Sequence, residues 1–179
     1  MNPLQTLEAF DLWLASRALR LDAIVVGGAA LVLLGAIDRQ TRDVDILAPE
    51  LSDDVTLASR EFAEAMRSAG VDLSDDWLNN GPIQLADVLP TGWELRKRLV
   101  LDRGALRLWV LSRPDLLKTK LFALCDRATD LADCLALLPT AEELESAIPW
   151  LVVQDANPMW PAHVIDTIEH LGRRLGHGV

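Results

Sequence analysis

The chain has 179 residues, half of them apolar, and a formal net charge of −10. That composition supports a packed core and excludes a disordered chain. The acidity argues against an extensive nucleic-acid surface, which needs a basic face. The dense basic cluster is short: Arg96, Lys97 and Arg98. No apolar run reaches the roughly 18 residues of a membrane span. The opening MNPLQTLEAFDLW carries neither the basic start nor the cleavage site of a signal peptide. No membrane role is expected, and the reading is cytoplasmic. Cys125 and Cys134 are the two cysteines, expected as reduced, partly buried thiols.

In chain order, Leu4, Leu7, Phe10, Leu14 and Ala15 recur near helical spacing and predict a first amphipathic helix ending before Asp22. Ile24, Val25 and Val26 suit a buried strand. Gly27 and Gly28 allow a tight turn and a close approach of backbone to ligand. Ala29 to Leu34 predicts a short buried helix, ended by Gly35. The run Arg39-Gln-Thr41-Arg-Asp43-Val-Asp45-Ile-Leu47 reads as a second strand, closed by Pro49. On such a strand Arg39, Thr41, Asp43 and Asp45 share one face, and Val44 and Ile46 enter the core. Leu47 shares the Asp43 parity at the strand end. Carboxylates two apart on one face repel unless something positive lies between them. A divalent metal is the usual answer, since Mg²⁺ takes one or two protein carboxylates plus substrate phosphates. Two such ions about 3.5–4 Å apart would clamp an in-line phosphoryl displacement. The plainer alternative is an ordinary turn followed by solvated aspartates.

Ser52, Asp53 and Asp54 start a helix with Val55, Ala58, Phe62, Ala63 and Met66 on its apolar face and Gly70 as C-cap. Asn79-Asn-Gly81-Pro82 and Pro90-Thr-Gly92 are turns, with Ile83, Leu85 and Val88 as short extended pieces. Leu95–Leu101 and Leu106–Leu111 predict a hairpin around Asp102-Arg-Gly104. Ser112, Pro114 and Asp115 open a further helix. On it Lys120 and Arg127 fall on one face, with Asp130 and Asp133 on an adjoining strip, unless the helix breaks near Asp126 and Thr129 caps a new one. Mixed charges at this spacing also describe an ordinary salt-bridged surface. Thr140 caps a helix expected to end before Pro149. Asn157-Pro158 and Pro161 break the chain, and His163–Leu175 forms a last helix. His163, His170 and His177 recur every seven residues, too far apart along a helix to share a metal. Trp150 and Trp160 read as core or interface residues.

Gly27-Gly28 followed by Arg39-x-Thr41-x-Asp43-x-Asp45 resembles the AbiEii-like branch of the DNA polymerase β-type nucleotidyltransferase superfamily, many of whose members are toxins of toxin–antitoxin pairs. The resemblance covers residues 23–47 firmly and 112–138 moderately. It implies an α/β (α+β) fold: a mixed sheet backed by helices in a single domain, with a core over about 20–112 and a C-terminal helical part over about 113–179. It implies that Gly27 and Gly28 hold a triphosphate with Arg39 and Thr41 beside them, and that Asp43 and Asp45 bind one or two Mg²⁺ ions. Lys120, Arg127, Asp130 and Asp133 resemble the branch's later lysine, arginine and Asp-x-x-Asp. Lys120 would contact phosphate, Arg127 an acid or phosphate, and Asp130 would act on the acid, metal or acceptor side. Lys118 rivals Lys120, and Asp126 and Asp133 rival Asp130. A third carboxylate of the superfamily would come from Glu94, Asp102 or Asp130. The implied reaction is Mg²⁺-dependent transfer of a nucleoside monophosphate from an NTP to a hydroxyl or similar acceptor, on tRNA, protein or a small molecule, with an antitoxin as possible protein partner. The rival reading is an inactive nucleotidyltransferase-like binding or antitoxin-type protein.

Overall fold

The structure is a computed structural model that describes residues 2–177. It divides into two units, residues 1–111 and 112–179. The first unit is a five-stranded sheet in the order β3-β2-β1-β5-β4, covered by helices. Its elements are α1 (Pro3–Ser16), β1 (Leu21–Val26), α2 (Gly27–Leu33), β2 (Val44–Ala48), α3 (Asp53–Ser68), β3 (Leu78–Asn79), a 3₁₀ turn (Ile83–Asp87), α4 (Trp93–Arg96), β4 (Arg98–Asp102) and β5 (Leu106–Val110). The second unit holds α5 (Arg113–Arg127), α6 (Leu131–Ala136), α7 (Ala141–Leu151) and α8 (Trp160–Arg174). The mixed sheet backed by helices is the fold class expected from the sequence.

β1 is central, pairing antiparallel with β2 and parallel with β5. A strand covered on both faces reads as a continuous apolar run, and Ala23 to Val26 are all buried. On the helical side, Phe10, Phe62 and Trp77 meet with ring centroids 5.0–5.6 Å apart. Trp77 is fully buried and its indole N–H donates to the Ser59 carbonyl at 3.0 Å, so its one polar atom is satisfied. β4 is an edge strand, bounded by Arg98 and Asp102, and charge at a sheet edge discourages further pairing.

Several boundaries differ from expectation. β2 begins at Val44, so Arg39 and Thr41 lie in the preceding loop and Asp43 abuts the strand. Leu47 is fully buried because the β1–β2 register slips: Ile24 faces Ala48 while Val25 faces Ile46, which leaves Leu47 as the extra residue of a bulge. Ile83, Leu85 and Val88 are not extended, the first two falling in the 3₁₀ turn. Thr129 does not cap α6: Ala128 ends α5 at φ 52°, and Thr129 Oγ1 donates back to the Ala123 carbonyl at 3.4 Å. α7 continues through Pro149 to Leu151. The carbonyl that loses its partner belongs to Glu145, an exposed residue, so water can replace the bond. Pro161 sits in the first turn of α8, where proline is tolerated, so that helix starts at Trp160.

Asp11 of α1 is buried, and its Oδ1 accepts from the backbone N–H groups of Ala105 at 2.8 Å and Leu106 at 2.9 Å. The carboxylate thereby fastens α1 to the start of β5. Asp11→Ala strands both donors and is expected to cost about 2–3 kcal/mol, read as a fall in the urea midpoint.

Candidate functional site

In the first unit, β1 runs into α2 without a loop. Val26 is extended, and Gly27 turns the chain at φ 70°. L side chains rarely adopt that conformation. A Cβ on Gly27 would also lie 2.5 Å from Asp45 Oδ2 and would turn that carboxylate away, while the backbone angle itself favours glycine. Across the ladder, Asp45 faces Val26, the residue before the turn. Gly28 is covered from the loop: a Cβ there would meet Thr41 Cγ2 at 3.2 Å and Arg39 Nη2 at 3.5 Å. Thr41 Oγ1 donates to the Asp43 carbonyl at 3.1 Å, which bends the chain toward β2. Val44 and Ile46 are fully buried, while Asp45 is half-buried on the other face of β2 and Asp43, just before the strand, is half-buried too. Gly27, Gly28, Arg39, Thr41 and Asp45 therefore come together, although Arg39, Thr41 and Asp43 belong to no strand.

The sheet order separates Asp102 from this cluster. Its strand lies three places from β2, about 14 Å at the usual strand spacing of about 4.8 Å. Asp102 instead pairs with Arg107 at 3.2 Å. Glu94 is exposed on α4, off the sheet. Asp45 lies between β1 and β3, and on β3 Asn79 pairs with it in register. Nothing local to Asn79-Asn80-Gly81 announces that placement, because it depends on a long-range strand pair.

In the second unit, Lys120 is 5% exposed. Its Nζ lies 2.8 Å from Asp133 Oδ2 and 3.3 Å from Asp130 Oδ2. The closer contact is one of charge, without the angles of a directed hydrogen bond. Asp133 is itself buried, and Asp130 precedes α6 at φ 65°. Lys120, Asp130 and Asp133 are thus brought together as a buried ion cluster joining α5 to α6. Arg127 is exposed and pairs with Asp126 at 3.5 Å. Cys134 adjoins the cluster: burial, then the Asp130 carboxylate, push its thiol up to about 12 against the opposing pull of Lys120. Burial pushes the Cys125 thiol up to about 11, against a hydrogen bond with Thr167. His163 and His177 use their Nε2 atoms on the Cys125 and Pro139 carbonyls, at 2.8 Å and 2.7 Å, in structural roles.

A family model described as nucleotidyltransferase of unknown function (DUF6036) matches residues 3–140. The chain belongs to this family. No curated protein and no solved structure matches it. The DUF6036 match spans the Gly27–Asp45 cluster and the Lys120–Asp133 cluster alike, and it makes the chain a nucleotidyltransferase in the broad sense. Among the described residues, no helix of this family member is long and apolar enough to cross a membrane. No group of three or more His, Cys, Asp or Glu side chains among the described residues forms a metal cage. Asp43 and Asp45, both half-buried, are the residues that would hold Mg²⁺, an ion bound through one or two carboxylates and completed by phosphates and water.

The burial of Lys120 decides how it responds to substitution. Lys120→Met leaves Asp133 buried without its cation and should destabilise by about 3–5 kcal/mol. Lys118→Met, on a half-buried residue of the same helix, should stay within about 1 kcal/mol. Urea denaturation of the two variants checks the contrast.

The thiols set a second expectation. In the unfolded chain they titrate near 9, but folded Cys125 and Cys134 hold their protons to about 11 and 12. Between those limits the native state binds more protons than the unfolded one, so stability falls as pH rises above about 9. A Cys125→Ala/Cys134→Ala variant should show a flatter decline between pH 8.5 and about 10.5 in urea midpoints, whatever its offset at pH 7.

Proposed function

We propose that this chain transfers a nucleoside monophosphate from an NTP to a hydroxyl or similar acceptor, with Mg²⁺, at the Gly27–Asp45 cluster. The observation that carries the reading is the contact between Gly27 and Asp45. A glycine held at φ 70°, whose Cβ would displace the Asp45 carboxylate, brings bare backbone against that group. That arrangement suits a phosphate chain and its counter-ion better than a packing role. In this reading Gly27 and Gly28 offer backbone N–H groups at close range, and Arg39 and Thr41 supply side-chain donors to phosphate oxygens. Asp43 and Asp45 hold Mg²⁺, which supplies neutralisation of phosphate charge. The chemistry is then chiefly positioning and electrostatic stabilisation.

Lys120 and Asp130 enter the proposal differently from the expectation of direct phosphate contact. The cation is already balanced by Asp130 and Asp133, so we assign it to holding those carboxylates, with Asp130 the more exposed of the two. The AbiEii-like resemblance of the motifs extends the proposal to a toxin of a toxin–antitoxin pair, acting on tRNA, protein or a small molecule. The charge of −10 suits a basic protein partner.

Thermal unfolding with Mg²⁺ and a non-hydrolysable NTP tests the site. At a ligand concentration one hundred times its Kd, binding is worth about 2.7 kcal/mol. For a chain of this size that is a rise in Tm of about 5–10 °C. Asp43→Asn/Asp45→Asn should abolish the rise. A double variant with an unchanged response would refute the assignment. Labelled NTPs offered with RNA and protein fractions then test transfer, which the same double substitution should eliminate. Gly28→Val is a poor probe, because its side chain would also strike Thr41.

A further inference from the structure

Gly27 and Gly28 are successive residues, so their Cα atoms lie about 3.8 Å apart, and a charged side chain stands over each. Asp45 Oδ2 lies 2.5 Å from the place of a Cβ on Gly27, and Arg39 Nη2 lies 3.5 Å from the place of a Cβ on Gly28. The loop holds Arg39 there: the Thr41 methyl packs 3.2 Å from the same point, and the Thr41 hydroxyl is tied to the Asp43 carbonyl. Carboxylate and guanidinium therefore converge on one dipeptide. Asp43 and Asp45 bring two negative charges and Arg39 one positive, which leaves a single net negative charge. Asp38 and Arg42 of the same loop are exposed and opposite in sign. A divalent ion arriving alone would overbalance the site. It would either face the guanidinium, which repels it, or push the guanidinium from its place over Gly28, and both weaken its binding. Nucleotide phosphates reverse the sign, since a guanidinium holds them through charge-assisted, often bidentate hydrogen bonds.

We propose that Arg39 is the resident cation of the free site: it opposes a divalent ion that arrives alone and draws in nucleotide phosphates, so that ion and nucleotide are taken up together. The inference deepens the reading of the Gly27–Asp45 cluster as a nucleotide site and rests on it. A side chain that disfavours one ligand until the other is present couples the two, and that coupling is the same read from either ligand.

Two single-ligand measurements on the full chain test it. One is Mn²⁺ binding, with free ion counted by electron paramagnetic resonance. The other is binding of a non-hydrolysable NTP in metal-free buffer, by isothermal titration. Arg39→Gln removes the charge at an exposed position, where a substitution leaves the fold intact. It should tighten Mn²⁺ by about three- to tenfold and weaken the metal-free nucleotide by a similar factor. Arg39→Met, a second neutral variant, should repeat both shifts. Arg39→Lys keeps the charge and should leave Mn²⁺ affinity at the wild-type value, a rescue that a merely structural role would not give. Neutral variants whose Mn²⁺ affinity is at or below wild type, or whose metal-free nucleotide affinity is unchanged, would overturn the inference. So would an Arg39→Lys protein that binds Mn²⁺ as Arg39→Gln does. In each of those cases the metal assignment stands if Asp45→Asn abolishes Mn²⁺ binding. An Asp45→Asn protein that binds Mn²⁺ as the wild type does would sink the metal assignment itself, and this inference with it.

Discussion

The close approach of Gly27 to Asp45 constrains how β1, α2 and β2 meet. β1 ends, the chain turns to positive φ, and α2 begins, all at one residue whose conformation favours glycine. A loop would relax that geometry and move the carboxylate away. The neighbouring features follow from it. β1 has to be apolar and central to hold its end rigidly, and the loop before β2 has to fold Thr41 and Arg39 back over Gly28. Gly27 adopts its positive φ without strain, and the buried strands behind it hold that backbone against the carboxylate.

The second unit solves a different problem. Lys120 is a long cation taken almost wholly out of water, and such a group is tolerated only when paired. Two carboxylates answer it, from the N-cap and the first turn of the short α6. The unusual backbone around them, with Ala128 and Asp130 both at positive φ, is what brings the two acids back toward α5. Arg113 does comparable work on the outside, bonding Glu143 at 2.8 Å and holding that carboxyl below its ordinary range. α5 is therefore fastened by charge at its start and along its buried face.

Much of the first cluster was legible because its signals are local. Gly-Gly after an apolar run and Asp-x-Asp before another need only short spacing to be read, and the alternation of Val44 and Ile46 with the two acids is visible directly. What depended on long-range pairing was not legible. Asn79 looked like a turn residue because nothing near it points to Asp45, 34 positions earlier in the chain. Glu94 and Asp102 looked eligible only while the strand order was unknown. Lys120 carries the residue type least expected inside a protein, so its spacing suggested a solvated face where the structure shows a buried one. Pro149 misled because a proline rule was applied without knowing that the turn it interrupts is at an exposed residue, Glu145.

The bulge at Leu47 has a bearing on how such chains change over generations. It lies after Asp45, and beyond it β2 pairs with β1 one residue out of step. A strand that already accommodates one extra residue there can lose it and return to regular pairing, with Asp45 still opposite Val26. The same loss between Gly27 and Asp43 would shorten the loop that lays Arg39 and Thr41 over Gly28. Insertions and deletions should therefore be tolerated unequally on the two sides of the Asp-x-Asp pair, with the far end of β2 absorbing length variation that the near side cannot.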